Sequence, residues 1–283
     1  MDRPFDVAVV VPTRNSAATL RACLESIRAQ THPCEIIVVD NNSSDETCLI
    51  ARELADQVLV TGPERSAQRN AGAALTSAPI IGFIDSDMIL STNVIAEVIV
   101  DIAEGSTSVV VPERTVGEGY WAEVNAFERS FYEDDEFVEA PRFFPGDVFH
   151  RVGGFDEAMT GAEDWDLGLR TASLGSRTRI NAEIIHEEGR ANFFNLCMKK
   201  AYYAPGVALF VKKHGIGTMR NMTSRPWLRQ PRALANPLGV GLVALKVGQA
   251  VAMAGGMIAD AVGHRSKLPE RPGTPGSQRR AGT

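Results

Sequence analysis

Asp85 and Asp87, separated only by Ser86, follow directly on the apolar run Ile80–Ile84. Two carboxylates in one turn can face a hard cation and the phosphates it carries. Taken alone, Asp-Ser-Asp reads equally well as a helix start, with Ser86 or Asp87 as the cap. A second acidic pair, Glu163-Asp164, opens a periodic stretch that runs to Leu174. The helix dipole favours carboxylates at such a start, so both acids could serve only as caps. A helix N-terminus at a cleft is also a firm place to hold a general base. His186 closes the apolar pair Ile184-Ile185 and can act as a structural histidine or as a third metal ligand beside the two aspartates. Arg14 and Arg69 are available to neutralise phosphate. Neither Gly-x-Gly-x-x-Gly after the first apolar run nor Gly-x-x-x-x-Gly-Lys-Ser/Thr occurs. This argues against dinucleotide oxidoreductases and P-loop enzymes.

The elements that must position these residues alternate. Val7–Val11, Ile36–Val39, Val58–Val60 and Ile80–Ile84 are short apolar runs of buried-strand character. Helical periodicity lies between them: Ala17–Arg28, with Asn15 or Ser16 as cap; a stretch from the Asn41–Asp45 loop to Ala55; and Arg65–Ala74. Strand–helix alternation predicts a mostly parallel, Rossmann-like α/β sheet flanked by helices, with ligands at the carboxyl ends of the strands. Thr13, Arg14, Asp40, Asp85 and Asp87 then share one edge. Further along, the pattern predicts helices over Val94–Ala103 and Gly117–Glu139 and a strand over Ser108–Val111. The acidic run Glu133–Glu136 reads as a solvated face.

The 283-residue chain carries a net charge of −6, which argues against general nucleic-acid binding. Its charge is uneven, with no Asp or Glu between Gly189 and Ala259 but Lys199, Lys200, Lys212, Lys213, Arg220, Arg225, Arg229, Arg232 and Lys246 inside that span. Cys23, Cys34, Cys48 and Cys197 form no Cys-x-x-Cys pair, so reduced thiols and a cytoplasmic setting are expected. The short, charged N-terminus gives no sign of a secretory signal.

Six separated stretches carry a resemblance to glycosyltransferases of family 2, the inverting GT-A type. They are Val9–Asn15, Val38–Asp45, Arg69–Gly72, Phe83–Asp87, Gly153–Glu157 and Glu163–Leu167. The resemblance implies a GT-A domain over residues 1–190. In it Asp40 meets the nucleotide base, and Pro12, Thr13, Arg14, Asn15, Arg69, Asn70 and Ser86 line the nucleoside and diphosphate pocket. Asp85 contacts ribose or metal, and Asp87 coordinates Mg²⁺ or Mn²⁺, with His186 a third ligand. Asp164 is the catalytic base, with Glu163 beside it. The implied activity is metal-dependent, inverting hexosyl transfer from a nucleotide-sugar donor, UDP-linked, to a hydroxyl of a glycan or lipid-linked acceptor, as in cell-envelope polysaccharide biosynthesis. The alternatives are a polyprenyl-phosphate sugar synthase, whose phosphate acceptor needs no base, and a non-catalytic glycan-binding member of the fold.

Residues 191–263 read as a helical, basic and apolar region, and 264–283 as a disordered tail. Within the region, Phe193–His214 is amphipathic, and Asn236–Gly263 is interrupted by Lys246, Gln249 and Asp260 on one narrow face. Three readings stay open for the second stretch: a helix at an anionic membrane surface, a helix packed on its own domain or on a second copy in a homo-oligomer, and a spanning segment. The first is favoured, which would put the enzyme at the inner face of the plasma membrane.

Overall fold

The computed structural model describes residues 5–132, 139–222, 227 and 235–261. The first elements are β1 (Val7–Thr13), α1 (Leu20–Arg28), β2 (Glu35–Asp40), α2 (Thr47–Leu54), β3 (Gln57–Val60), α3 (Arg65–Ala73) and β4 (Ile80–Phe83). The middle of the chain supplies β5 (Met88–Leu90), α4 (Val94–Ala103), β6 (Ser108–Val110), β7 (Glu113–Glu118) and α5 (Tyr120–Arg129). There follow β8 (Phe143–Pro145), α6 (Gly146–Arg151), α7 (Glu163–Ala172), β9 (Arg177–Arg179), β10 (Ile184–Arg190), α8 (Phe193–Met222) and α9 (Pro237–Ala261).

A seven-stranded sheet runs β3-β2-β1-β4-β8-β6-β9, and a three-stranded sheet runs β5-β10-β7. Strands β1 to β4 are mutually parallel, and β8 runs against its neighbours β4 and β6. The fold is α/β, with a mixed, mostly parallel large sheet. Strand alternation divides the core between two faces. Val7, Val9 and Val11 pack with Leu20, Leu24 and Ile27 of α1 and Val94 and Val98 of α4. Ala8 and Val10 face the other way, toward Ala73 of α3, Phe149 of α6 and Leu167 of α7. The chain moves outward from β1 to β2 and β3, then returns to set β4 on the other side of β1. The crevice at this reversal is where ligands bind in open α/β sheets.

Four expectations need correction. The helix expected from Ala17 starts at Leu20, and Ser16 contributes only its carbonyl to the first turn. Its hydroxyl instead accepts from Ser86 at 2.9 Å, joining the first loop to the aspartate turn. The helix expected over Gly117–Glu139 is the strand β7 followed by α5, because residues 113–118 pair with β10 and Gly119 breaks the chain direction at φ +87. Strands β5, β8 and β9, of three residues each, were not expected; runs this short carry no readable period. Finally, α8 continues beyond His214 to Met222, with a kink at Gly215. Glu133–Glu136, Arg225, Arg229, Arg232 and the segment 264–283 lie outside the described residues.

The end of the sheet is stitched from α3. Buried Gln68 donates through Nε2 to the carbonyls of Thr13 (3.0 Å) and Val39 (2.6 Å), fixing the ends of β1 and β2 against the helix. Gln68→Leu removes both bonds and leaves buried acceptors under-satisfied. Urea titration should show a stability lower by about 1–3 kcal/mol, and an unchanged midpoint would show that the stitch contributes nothing.

Candidate active site

Arg69 lies at the centre of the crevice and is 0% exposed. One terminal nitrogen donates to Asp85 Oδ1 at 2.8 Å, and the other to Asp164 Oδ1 at 2.7 Å. Arg65, one turn earlier on α3, reaches Glu163 at 3.1 Å, Tyr203 of α8 at 3.3 Å and Asp85 at 3.9 Å. Arg142, just before β8, stands 3.7 Å from Asp85 and is bound to Glu113. Burial by itself would raise the Asp85 carboxyl, but Arg69, Arg142 and Arg65 outweigh it and hold the group well below the usual carboxylate range. Three separated stretches, Arg65–Arg69, Asp85 and Glu163-Asp164, thus meet in one ionic cluster.

The two acids at the start of α7 have different surroundings. Glu163 is buried: Oε1 binds Arg65, and Oε2 accepts the backbone N–H of Gly161. Asp164 is 35% exposed at its side chain, with Oδ1 pinned by Arg69. Its Oδ2 has no partner among the described residues and can take a proton from a group in the cleft. Glu163 therefore serves as an anchor for the helix start, and Asp164 is the acid that faces outward.

The segment Asp85–Asp87 leads from β4 of the large sheet into β5 of the small one, and His186 pairs with Met88 across β5 and β10. This register brings His186 Nε2 to 3.4 Å from Asp87 Oδ2. Burial would raise Asp87, but the hydrogen bond and charge of His186 outweigh it and the carboxyl is lowered. Of the three residues expected at ribose or a cation, Asp87 and His186 face each other, while Asp85 is held by Arg69, Arg65 and Arg142. No cluster of three metal-binding side chains occurs among the described residues. Asp87 and His186 do fit a divalent cation as a carboxylate–imidazole pair, the remaining ligands coming from a diphosphate and water. His186 Nδ1 is buried without a hydrogen bond and lies 3.8 Å from Glu113 Oε2.

The other expected residues divide. Arg14 is exposed beside a recess that it lines with Asn41, Pro63, Glu64, Gln68 and Tyr202. Asn15 organises the loop: its N–H donates to Ser43 Oγ, and its Oδ1 accepts from the Ser44 N–H. Pro12 is buried inside β1, paired with Val39. The Thr13 hydroxyl donates to buried Asp40, which also accepts from the Ser43 N–H, the Ser43 hydroxyl and the Cys48 thiol. Ser86 is committed to Ser16. Asn70 ties two segments together in this geometry. It donates to Phe155 O and Glu157 and accepts from Phe155 N–H, which holds the Gly153–Glu157 loop. A Cβ on Gly154 would come within 2.7 Å of Asn70 Oδ1, so the two stretches require each other.

Sequence reasoning missed Arg65, Arg142, Glu113 and the clasp on Asp166. Arg65 was legible, four residues before Arg69 on the same helix face. Arg142 and Glu113 carry no local signal. Buried Asp166 of α7 binds Arg170, Lys213 and His214, the last two from α8.

The cluster fixes an acid response. The folded-state pKa of Asp85 lies below its unfolded value of about 3.9. Its stabilisation is therefore complete above the unfolded value and is lost as pH falls through the folded one. Arg69→Met leaves the buried acids without their main counter-charge. The acid-unfolding midpoint, followed by circular dichroism, should rise, with a loss of roughly 3–5 kcal/mol at pH 7. An unshifted midpoint would show that Arg69 is not the keystone.

A family model described as "Glycosyl transferase family 2" matches residues 8–156. The pre-mycofactocin glycosyltransferase of Mycobacterium tuberculosis is 27% identical over 234 residues, covering 74% of this chain and 48% of that protein. The validoxylamine A glucosyltransferase of Streptomyces hygroscopicus is 26% identical, over 62% of this chain and 54% of its own length. The chain thus spans about half the length of these curated relatives. Among solved structures, a mannosyltransferase from Pyrobaculum calidifontis in complex with GDP-Man and Mn²⁺ superimposes with a TM-score of 0.59 at 18% identity, covering 92% of this chain and 82% of that one. S. aureus TarS residues 1–349 in complex with UDP give 0.54 at 16% identity, covering 92% of each chain. These likenesses bear out the GT-A fold, and the family model, which matches more than half of the sequence, shows that the chain belongs to glycosyltransferase family 2.

Proposed function

We propose that this chain transfers a hexosyl group, with inversion, from a nucleoside-diphosphate sugar, UDP-linked, to a hydroxyl of a glycan or lipid-linked acceptor, with Mg²⁺ or Mn²⁺ as cofactor. The observation that carries the reading is the double grip of Arg69. It sets the outward-facing Asp164 on one side of the crevice and the aspartate turn on the other. Relatives support it in kind: TarS is solved with UDP, and the Pyrobaculum enzyme with GDP-Man and Mn²⁺.

Asp164 Oδ2 accepts the acceptor's hydroxyl proton as its oxygen bonds to the anomeric carbon. The bond from that carbon to the β-phosphate oxygen breaks on the opposite face, and its electron pair leaves with the diphosphate. One displacement by one oxygen inverts the centre. A cation bound by Asp87 and His186 would neutralise charge on the departing diphosphate. Arg14 is the exposed cation beside the recess at the ends of β1 and β2, where the nucleoside would lie.

Calorimetry with UDP and GDP, with and without Mn²⁺, tests the donor half. UDP should bind in an Mn²⁺-dependent manner, Asp87→Ala should abolish that binding, and binding of GDP instead would overturn the UDP assignment. Binding of neither nucleotide would overturn the proposal. Asp164→Asn tests the acceptor half. It should keep donor affinity and lower kcat by about 10²–10⁴-fold in a product-release assay. Retained turnover would instead point to a phosphate acceptor, which needs no base.

A further inference from the structure

The polarity of α9 is reversed. Lys246 pairs with Glu128 of α5, and Gln249 is buried with Leu242 and Leu245. The opposite face is apolar and uncovered: Val240, Val247, Val251 and Ile258 are 64, 60, 70 and 66% exposed. A soluble helix turns its apolar stripe inward and its charges outward. Here the single charged side chain between Pro237 and Ala259 points at the protein, while valines point away.

From this we infer that the outer face of α9 lies on an anionic lipid bilayer, in the plane of the headgroups. The occupant is argued from charge and from position. No acid occurs from Gly189 to Ala259, while Arg190, Lys199, Lys212 and Arg220 on and beside α8 are exposed. Lys199 faces the crevice, where its charge acts on Asp87, but Arg190, Lys212 and Arg220 leave the flank basic, and such a flank attracts anionic headgroups and repels a second copy of itself. Position agrees. Close approach at Gly248 and Gly256 locks α9 onto Phe193, Cys197 and Ala201 of α8; a Cβ at Gly256 would lie 2.3 Å from Ala201 O. Another face of α8 supplies Tyr202 to Glu64 and Tyr203 to Arg65 at the crevice. Helices α8 and α9 therefore both lie between the crevice and the apolar face, a spacing of roughly 20 Å. An acceptor carried on a lipid would present its sugar or hydroxyl at that height.

By length and composition α9 could cross a membrane. Its contacts with α5 and α8 and the Lys246–Glu128 pair hold it against the domain instead, which fits a helix lying in the interface. The lipid-linked acceptor rests on the transferase reading above, whereas the docking surface does not.

The test is flotation of the full-length protein with vesicles of pure phosphatidylcholine and of phosphatidylcholine with phosphatidylglycerol. Wild type should float with the anionic vesicles, and salt should weaken the binding. V247E/V251E, on an uncovered face, should keep its thermal unfolding and its UDP or GDP binding and lose vesicle binding by about tenfold or more. Equal flotation of the variant, or no flotation of wild type, would overturn the inference. So would a wild-type dimer in light scattering that the variant converts to monomer, since the face would then be covered by a second copy. Resistance of the vesicle-bound protein to alkaline carbonate would mark a spanning helix and overturn it too. Vesicle binding without nucleotide binding would leave the surface standing and remove the transferase; the converse would do the opposite.

Discussion

A guanidinium with no access to water needs anions around it, and that need governs this molecule. Arg69 is delivered by α3, Asp85 by the exit of β4, and Glu163 and Asp164 by the first turn of α7. None of these is stable buried alone, because removing one partner strands the others. Satisfying the charges forces the three elements to converge, and the crevice is the result. The same requirement decides roles within it. Asp85 is consumed by counter-charge, Glu163 by the helix start, and the solvent-facing oxygen that remains belongs to Asp164.

The parallel half of the fold was legible because its strands are apolar on both faces and its helices carry clear periodicity. Val7–Val11 and Ile36–Val39 could hardly be read otherwise. The small sheet was not legible. Met88–Leu90 is too short to show alternation, and β7 gains its strand character only from pairing with β10. The convergence of the crevice was legible where chemistry and order coincide: Asp85 and Asp164 meet at Arg69, and Asp87 faces His186. It was illegible where a role depends on a partner distant in sequence: Arg142 binds Glu113, 29 residues away. Asn70 is a second such case, since its side chain bonds Phe155 and Glu157, 85 and 87 residues on.

The sequence pattern of α9 gave its apolar surface but not its direction. Periodicity identifies two faces, and only packing tells which one is covered. Lys246 and Gln249 would be placed outward by any rule of solubility, yet Glu128 draws them in. A buried acid on α5, with the close glycine contacts to α8, thereby orients 25 residues of helix.

The clasp on Asp166 ties α8 to the crevice rather than leaving it an appendage. Asp166 sits two residues beyond Asp164 on α7, and Lys213 and His214 of α8 neutralise it. Burial would raise its carboxyl, and the bonds from Lys213, His214 and Arg170 lower it instead. Opening α8 would strip Asp166 of Lys213 and His214 and leave Arg170 as its remaining partner, so the two helices are coupled through this one carboxylate. The C-terminal helices therefore brace the first turn of α7, which carries Glu163 and Asp164, and losing them would weaken the hold on that turn.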